Sequence, residues 1–311
     1  MFVQPHFCGE RSKNVRQTYA DFLECARLRV KFFIFVQIIH SMAPSRILSI
    51  PLILWLLVGL YITWQVDTGY ALYNIVPPVV LLAMLYVLSP QVDWQWYKRN
   101  PPDLQAVVRE MLFQYPFYQR LPEGEKKRFR QRVALFAIGN EYIAQGMEKV
   151  PTDLKYMIAA CAVTLTLGQE EFLFRKFEHI IVAPRPVPTP QYPERFHASE
   201  IYEPDGVVLF AAEQLALGFM QSKQYFNIGL YEYAKIYVKT YPEADYPNLQ
   251  ENTWTTLERI SGFSRAWIEQ WINLPDLDPL AVGIVYFFTF PDQFVEALPT
   301  DFQLLKRIFH T

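Results

Sequence analysis

The apolar segment NIGLYEYAKIY, residues 227–237, contains a single carboxylate, Glu232. A helix through this segment places Lys235 three residues after Glu232, on the same helix face. A carboxylate and an ammonium at this spacing usually form a partly buried ion pair, which stabilises a helix by a few tenths of a kcal/mol. Taken alone, the segment therefore predicts an ion pair between Glu232 and Lys235.

Other residue types that carry chemistry do not form a recognisable motif. The chain has neither a Gly-x-Ser-x-Gly nucleophile sequence nor a glycine-rich nucleotide-binding loop. Cys161 lies in the apolar run IAACAVTLTLG, where a thiolate would be costly. No two histidines stand four residues apart on one helix face. The five histidines are His6, His40, His179, His197 and His310.

The elements that must position Glu232 are three strands and a set of helices. The strands are predicted at HIIVAP (179–184), FHASEIY (196–202) and GVVLFA (206–211), with a turn at Glu203-Pro204-Asp205-Gly206. Helices are predicted at 103–115, 122–138, 151–168, 170–177, 211–219, 224–238, 251–273 and 278–310. The fold class is thus α+β and helix-dominated, with one domain over residues 93–311.

The composition narrows the classes of partner. Twenty-nine Lys and Arg against 31 Asp and Glu give a net charge of -2, and no nucleic-acid-binding motif is present. Nucleic acid is therefore not an expected partner. Three cysteines with no CxxC spacing argue against a disulfide framework and favour a reducing compartment.

Two uncharged stretches predict a transmembrane hairpin within residues 46–92. Residues 47–64 are long enough to cross the hydrocarbon layer, and a second stretch runs from 70 to 90. Pro77 and Pro78 fall in the first third of the second stretch, where they are tolerated at a helix start. A re-entrant or shortened second span is the alternative.

The distribution of Lys and Arg predicts the orientation of the hairpin. The short loop around Asp67 has no basic residue, whereas basic residues precede the first span and Lys98, Arg99 and Arg109 follow the second. Both termini and the main domain are therefore expected on the cytoplasmic face of the inner membrane, with the bilayer itself as one partner.

Residues 1–45 form a basic N-terminal segment with two interpretations. The apolar run KFFIFVQIIH (31–40) is too short to span a membrane, and no signal-peptide cleavage site precedes it. Translation could begin at Met42, which would make the preceding residues a start-site extension. Alternatively, the segment is an amphipathic surface helix.

Several landmarks of residues 116–308 together resemble the Mlc titration factor A family of zinc-dependent peptidases, which are bacterial and gluzincin-like. They are PFYQRLPEGEKKRFRQRV, IAACAVTLTLG, HIIVAP, DGVVLFAAEQLALGF, NIGLYEYAK and AVGIVYFFTFP, in that order. The resemblance implies a gluzincin-like peptidase domain with a small sheet. It also implies a cytosolic protein partner, since the best-known family member interacts with a transcriptional repressor.

The resemblance implies a degenerate active site. Family members carry His-Glu-x-x-His, in which two histidines bind zinc and the Glu is the general base. Here Tyr231 and Lys235 occupy the histidine positions, and Glu232 keeps the position of the base. A neutral phenol is a poor zinc ligand and an ammonium repels the ion. No zinc site of the family type is expected, and no other cofactor is implied.

The same alignment with the family motif implies two further active-site positions later in the chain. Counting back from Tyr286 places Asp278 at the family's third, acidic ligand and Trp271 at a tyrosine that assists the chemistry. Asp278 fits an acidic ligand and an ordinary helix N-cap equally well. Trp271 lacks the phenol and fits packing better.

Two functions follow from this site. The first is a membrane-anchored, non-catalytic relative of zinc peptidases that binds a protein or peptide in the former active-site groove, lined by Tyr231, Glu232, Lys235, Trp271 and Asp278. The second is an active peptidase, either with an atypical metal site formed by Glu232, Asp278 and a distant histidine, His179 or His197, or with no metal. Because losing both histidine ligands removes the Lewis acid and the activated water together, the first function is favoured.

Overall fold

The computed structural model describes residues 43–65, 69 and 71–310, which fall into two compact units. The first unit ends at Arg99 and the second begins at Asn100. Nearly all of the predicted N-terminal segment 1–45, with Cys8 and Cys25, lies outside the described residues, as does Asp67 in the predicted loop.

The described residues of the first unit form two long helices and a short one. They are α1 (Pro44–Gln65), α2 (Ala71–Asn74) and α3 (Val76–Arg99). The two long helices are long and apolar enough to cross a membrane. Pro77 and Pro78 lie in the first turn of α3, where the missing backbone donors cost no intrahelical hydrogen bond, so α3 runs from Val76 to Arg99.

A polar contact ties the open ends of this helix pair together. Asp93 accepts hydrogen bonds from the Ser45 backbone N–H and from its hydroxyl, both at 2.8 Å. The carboxylate thereby satisfies a free donor in the first turn of α1, where the helix dipole favours negative charge. The first unit is therefore an antiparallel pair of helices, as the short predicted loop requires.

The second unit is dominated by helices. They are α4 (Ala106–Gln114), α5 (Pro116–Arg120), α6 (Glu123–Gly139), α7 (Thr152–Thr166), α8 (Ala212–Met220), α9 (Ile228–Thr240), α10 (Trp254–Ser261), α11 (Arg265–Ile272), α12 (Pro279–Thr289), α13 (Pro291–Ala297) and α14 (Pro299–Phe309). Together with one small sheet they confirm the helix-dominated α+β class.

The sheet has four strands in the order β1-β2-β4-β3. The strands are β1 (Glu141–Ala144), β2 (His179–Ala183), β3 (Ser199–Tyr202) and β4 (Val207–Ala211). β1 and β4 both pair with β2 in parallel, whereas β3 pairs with β4 antiparallel and forms an edge. Gly206, at φ +62°, closes the predicted turn between β3 and β4, where a Cβ would meet the Lys176 carbonyl oxygen at 2.1 Å.

The structure corrects the predicted elements in four places. β1 was not predicted, and residues 170–177 do not form the predicted helix. The predicted helix 251–273 is broken after Ser261 by Gly262, whose φ of +78° ends a helix. The predicted helix 278–310 consists of three helices, the second and third of which begin with prolines, which cannot continue a preceding helix.

Helix α9 lies at the centre of the second unit. It packs on α7, α8 and α12 and against strands β3 and β4. Nine of its residues are buried, from Ile228 to Tyr237, which explains why its sequence is apolar on nearly all sides. The one carboxylate on this helix is therefore placed inside the core, and its surroundings decide its chemistry.

Candidate functional site

The start of α9 is fixed by Asn227 and Cys161. The Asn227 side chain caps the helix by accepting a hydrogen bond from the Leu230 backbone N–H at 2.9 Å. The buried Cys161 thiol donates to the same Asn227 oxygen at 3.6 Å. Burial raises the pKa of the thiol to about 12, so Cys161 is a structural residue and not a nucleophile.

Glu232 is fully buried, and both oxygens of its carboxylate have a partner. Oε1 accepts a hydrogen bond from the Ser199 hydroxyl of β3 at 2.7 Å. Oε2 lies 2.5 Å from the Lys235 ammonium, so the ion pair expected from the sequence is present. A buried carboxylate requires such compensation, because burying an unpaired charge is costly.

Lys235 reaches Glu232 across the face of Tyr231. Its Nζ lies 4.7 Å from the centroid of the Tyr231 ring, a cation–π distance, and its side chain is 23% exposed. Burial lowers the pKa of Lys235, but the Glu232 carboxylate and the neighbouring Tyr231 and Asp278 outweigh it, so the pKa lies above its ordinary value. Lys235 is therefore a cation throughout the physiological pH range.

Asp278 caps helix α12 beside these residues. Its side chain accepts from the backbone N–H groups of Leu280 at 2.9 Å and Ala281 at 3.3 Å, the geometry of a helix N-cap. Its own backbone N–H donates to the Tyr231 hydroxyl at 3.1 Å. The structure thus brings Asp278 next to Tyr231 although 47 residues separate them.

Trp271 lies in an aromatic cluster at the end of α11. Its ring stacks on Trp267 at 5.5 Å between centroids, and its Nε1 donates to the Phe226 carbonyl at 3.1 Å. It does not line the cavity beside Glu232. This geometry matches the packing role that the sequence favoured for it.

A cavity of about 150 Å³ opens beside the ion pair. Its lining includes Tyr231, Glu232 and Lys235 from α9, Glu200 and Ile201 from β3, and the loop 274–277. Within the described chain, the Glu200 oxygen Oε1 is buried without a hydrogen-bond partner. Tyr231, Glu232 and Lys235 thus line one cavity between the edge strand and α9, whereas Trp271 and Asp278, which were expected in the same groove, are not among its lining residues.

Sequence reasoning missed the polar residues of β3. Glu200 is buried and contacts His197, which is also fully buried. The distance between His197 Nε2 and Glu200 Oε2 is 3.0 Å. The other ring nitrogen of His197 faces the Arg195 carbonyl at 3.0 Å. Both neighbours of the ring are oxygen atoms that can accept a hydrogen bond from it. The signal for these residues was the run of four polar or small side chains from His197 to Glu200 in the predicted strand FHASEIY.

The residues present do not fit a zinc ion of the family type. The ammonium of Lys235 lies against the carboxylate of Glu232, where a cation is already supplied. Neither His179, which pairs with Glu141 at 3.0 Å, nor His197 contacts Glu232. Among the described residues, no group of three His, Cys, Asp or Glu side chains is arranged to hold a metal.

Comparison with known families agrees with the landmarks of the sequence. The profile of a family described as glucose-regulated metallo-peptidase M90 matches residues 93–253, just over half of the chain. The chain belongs to this M90 peptidase family. The resemblance to the Mlc titration factor A peptidases is thereby confirmed. The match includes Tyr231, Glu232 and Lys235 but ends before Trp271 and Asp278.

The comparison with curated proteins carries less information about the family. An uncharacterised protein of Synechocystis sp., slr2042, is 24% identical over 144 residues, which cover 44% of this chain. The matched segment spans 47% of the relative's own length. The M90 membership therefore rests on the family profile.

Proposed function

We propose that this M90-family protein is a membrane-anchored, non-catalytic member that binds a protein or peptide segment on the cytoplasmic face. The observation that carries the proposal is the ion pair of Lys235 with Glu232, because the ammonium lies at the second histidine position of the family motif. With Ser199 on the other oxygen, the carboxylate is engaged at both ends. Its charge is therefore balanced by a cation of the protein itself instead of facing a zinc-bound water, as a general base of a zinc peptidase does.

The edge strand β3 supports peptide binding. Only β4 pairs with Ser199–Tyr202 in the described chain. Ser199 and Glu200 are buried, so the free side of β3 is open to an extended peptide at Ile201 and Tyr202. Glu200 and Ile201 on this strand also line the cavity beside Glu232. A peptide added to this edge would place its side chains beside that cavity, which supplies selectivity.

The two apolar helices support the membrane part of the proposal. Both could cross a bilayer, and Lys98 and Arg99 end the second one. By the positive-inside rule, this end and the peptidase-family unit face the cytoplasm. We therefore expect the partner to be a cytosolic protein, which binds to this protein at the inner membrane.

The test separates binding from hydrolysis on the same ligand. Full-length protein in nonionic detergent is mixed with fluorescein-labelled peptides of random sequence, and both anisotropy and cleavage are recorded. We expect binding without cleavage. Ile201→Arg, which fills the cavity beside β3, should weaken binding by about tenfold, whereas Val295→Arg at an exposed position of α13 should not.

The active-enzyme alternative makes the opposite prediction. Cleavage that is abolished by Glu232→Gln and accompanied by stoichiometric zinc in the purified protein would overturn the proposal. Equal peptide binding by the parent and Ile201→Arg would also overturn it, because the edge of β3 would not be the binding site.

A further inference from the structure

A concave basic surface lies at the start of the second unit. The concavity has a volume of about 380 Å³, and the cations that line it are Arg109 of α4 and Lys127 and Arg130 of α6. One acidic residue, Asp103, lies on the same surface. The surface therefore attracts anions. We use the name juxtamembrane basic surface for these three cations together with Phe113, which lines the same concavity.

Most of its positive charge is not used within the protein. Arg109 and Lys127 are exposed and form no salt bridge with any residue that the structure describes. Arg130 donates to the Tyr118 hydroxyl at 2.5 Å, which holds its guanidinium in place without neutralising it. Three cations and a single carboxylate, Asp103, leave this concavity with a net positive charge, which is typical of a surface that binds an external anion.

An apolar side chain stands beside these cations. Phe113 lines the same concavity and is 57% exposed. It follows Arg109 by four residues, so both project from one face of α4. Exposed aromatic rings next to basic side chains are the combination that enters the headgroup region of an anionic bilayer.

The position of this surface in the chain identifies the anion. It includes Pro101, two residues after Arg99 ends the second apolar helix. The linking residues cannot place Pro101 far from that helix end, since each residue spans at most about 3.6 Å. Cytoplasmic leaflets carry anionic lipids, which attract basic segments directly after a membrane span.

We infer that the juxtamembrane basic surface binds the headgroups of anionic phospholipids and docks the second unit on the bilayer. Arg109, Lys127 and Arg130 contact lipid phosphates, and Phe113 enters the interface. The inference rests on the proposed membrane anchoring and cytoplasmic orientation. It is independent of peptide binding beside Glu232, so failure of either one leaves the other standing.

The test uses the full-length protein in lipid nanodiscs. With Cys8 and Cys25 replaced by Ser and Cys161 buried, a bimane label at Phe113→Cys reports its distance from brominated lipid by quenching. We expect about two-fold more quenching in nanodiscs with phosphatidylglycerol than in pure phosphatidylcholine. A label at Met220→Cys, an exposed position on α8, should show no such difference.

Charge variants and salt decide the outcome. Arg109→Glu with Lys127→Glu should remove the phosphatidylglycerol effect, whereas the matched pair Lys149→Glu with Lys223→Glu, at exposed cations elsewhere, should keep it. In the labelled protein without the charge variants, raising the salt concentration from about 0.1 M to about 1 M should also remove the effect. The reason is that the Debye length falls from about 10 to about 3 Å.

Two results would overturn the inference. Equal quenching in both lipids would show that the surface does not dock on anionic lipid. A label that responds to soluble inorganic phosphate but not to phosphatidylglycerol would assign the surface to a free anion instead. The salt result holds even if the double Glu variant fails to fold.

Discussion

The Lys235 ammonium lies 2.5 Å from the Glu232 carboxylate at the position where the family motif has its second zinc-binding histidine. A cation of the protein itself thus faces the carboxylate that serves as general base in active family members. The Glu232 charge would be difficult to bury without it, because an isolated ionised carboxylate in the core is strongly destabilising. This relationship makes the site a stable part of the core.

The first prediction concerns the energy of this pair. Lys235→Ala should lower the free energy of unfolding by about 2 to 4 kcal/mol, between the values for exposed and fully buried pairs, because it leaves Glu232 buried without its cation. Lys235→Ala combined with Glu232→Gln should be more stable than Lys235→Ala alone. Urea unfolding of the full-length protein in nonionic detergent measures both.

A matched control is available on the same helix. Lys239 forms an ion pair with Glu203 at 2.7 Å, but 49% and 63% of these side chains are exposed. Lys239→Ala should therefore cost less than about 1 kcal/mol. If Lys235→Ala costs no more than this, or if the double variant shows no rescue, Lys235 is an ordinary surface lysine.

The second prediction concerns alkaline pH. The folded-state pKa of Lys235 lies above its ordinary value of 10.5, so the ammonium stabilises the fold fully below about pH 10.5. Its contribution is lost as the pH rises through the folded-state pKa. Burial also raises the pKa of Tyr231 to about 12, so its ionisation favours unfolding in the same direction.

The measurement is the difference in unfolding free energy between the parent and Lys235→Met. We expect a constant difference from pH 7 to about pH 10, and a decrease at higher pH. A difference that already disappears near neutral pH would mean that Lys235 is not stabilised as a cation by Glu232.

The third prediction restores the motif. Tyr231→His with Lys235→His should bind zinc at least about tenfold more tightly than the parent, because two imidazoles at i and i+4 share a helix face beside Glu232. Zinc titration by calorimetry measures this. A variant with Tyr231→His and Lys239→His supplies the same residue types without the spacing and should bind no better than the parent.

The restored variant also tests the role of Asp278. Asn can replace Asp as an N-cap but is a weaker zinc ligand than a carboxylate. Adding Asp278→Asn should therefore reduce zinc affinity without loss of stability if Asp278 is placed as a third ligand. Unchanged affinity would leave it as a helix cap only.

The fourth prediction concerns membrane topology. An epitope tag after Thr311 should be inaccessible from outside intact cells, and one inserted at Asp67 should be accessible, because basic residues flank the helix pair and are absent from its loop. Both positions lie outside the described residues. Antibody labelling before and after permeabilisation measures this, and external labelling at Thr311 would contradict the orientation.

Local features were determined by the sequence itself. The two apolar helices follow from the length of uncharged sequence, and Pro77 and Pro78 are tolerated at a helix start. The ion pair of Glu232 with Lys235 follows from i, i+3 spacing on a helix. The family followed from the order of its landmarks. These features depend on residues close together in the chain, which explains why they could be predicted.

The surroundings of Glu232 were decided by the tertiary structure. Ser199 reaches Oε1 from a strand 33 residues earlier, and the Asp278 backbone reaches Tyr231 from 47 residues later. Such contacts depend on how β3 and α12 pack on α9, which no local pattern encodes. Asp278 shows both levels, because its cap bonds to Leu280 and Ala281 are local, whereas its place beside Tyr231 is decided by the packing of α12 on α9.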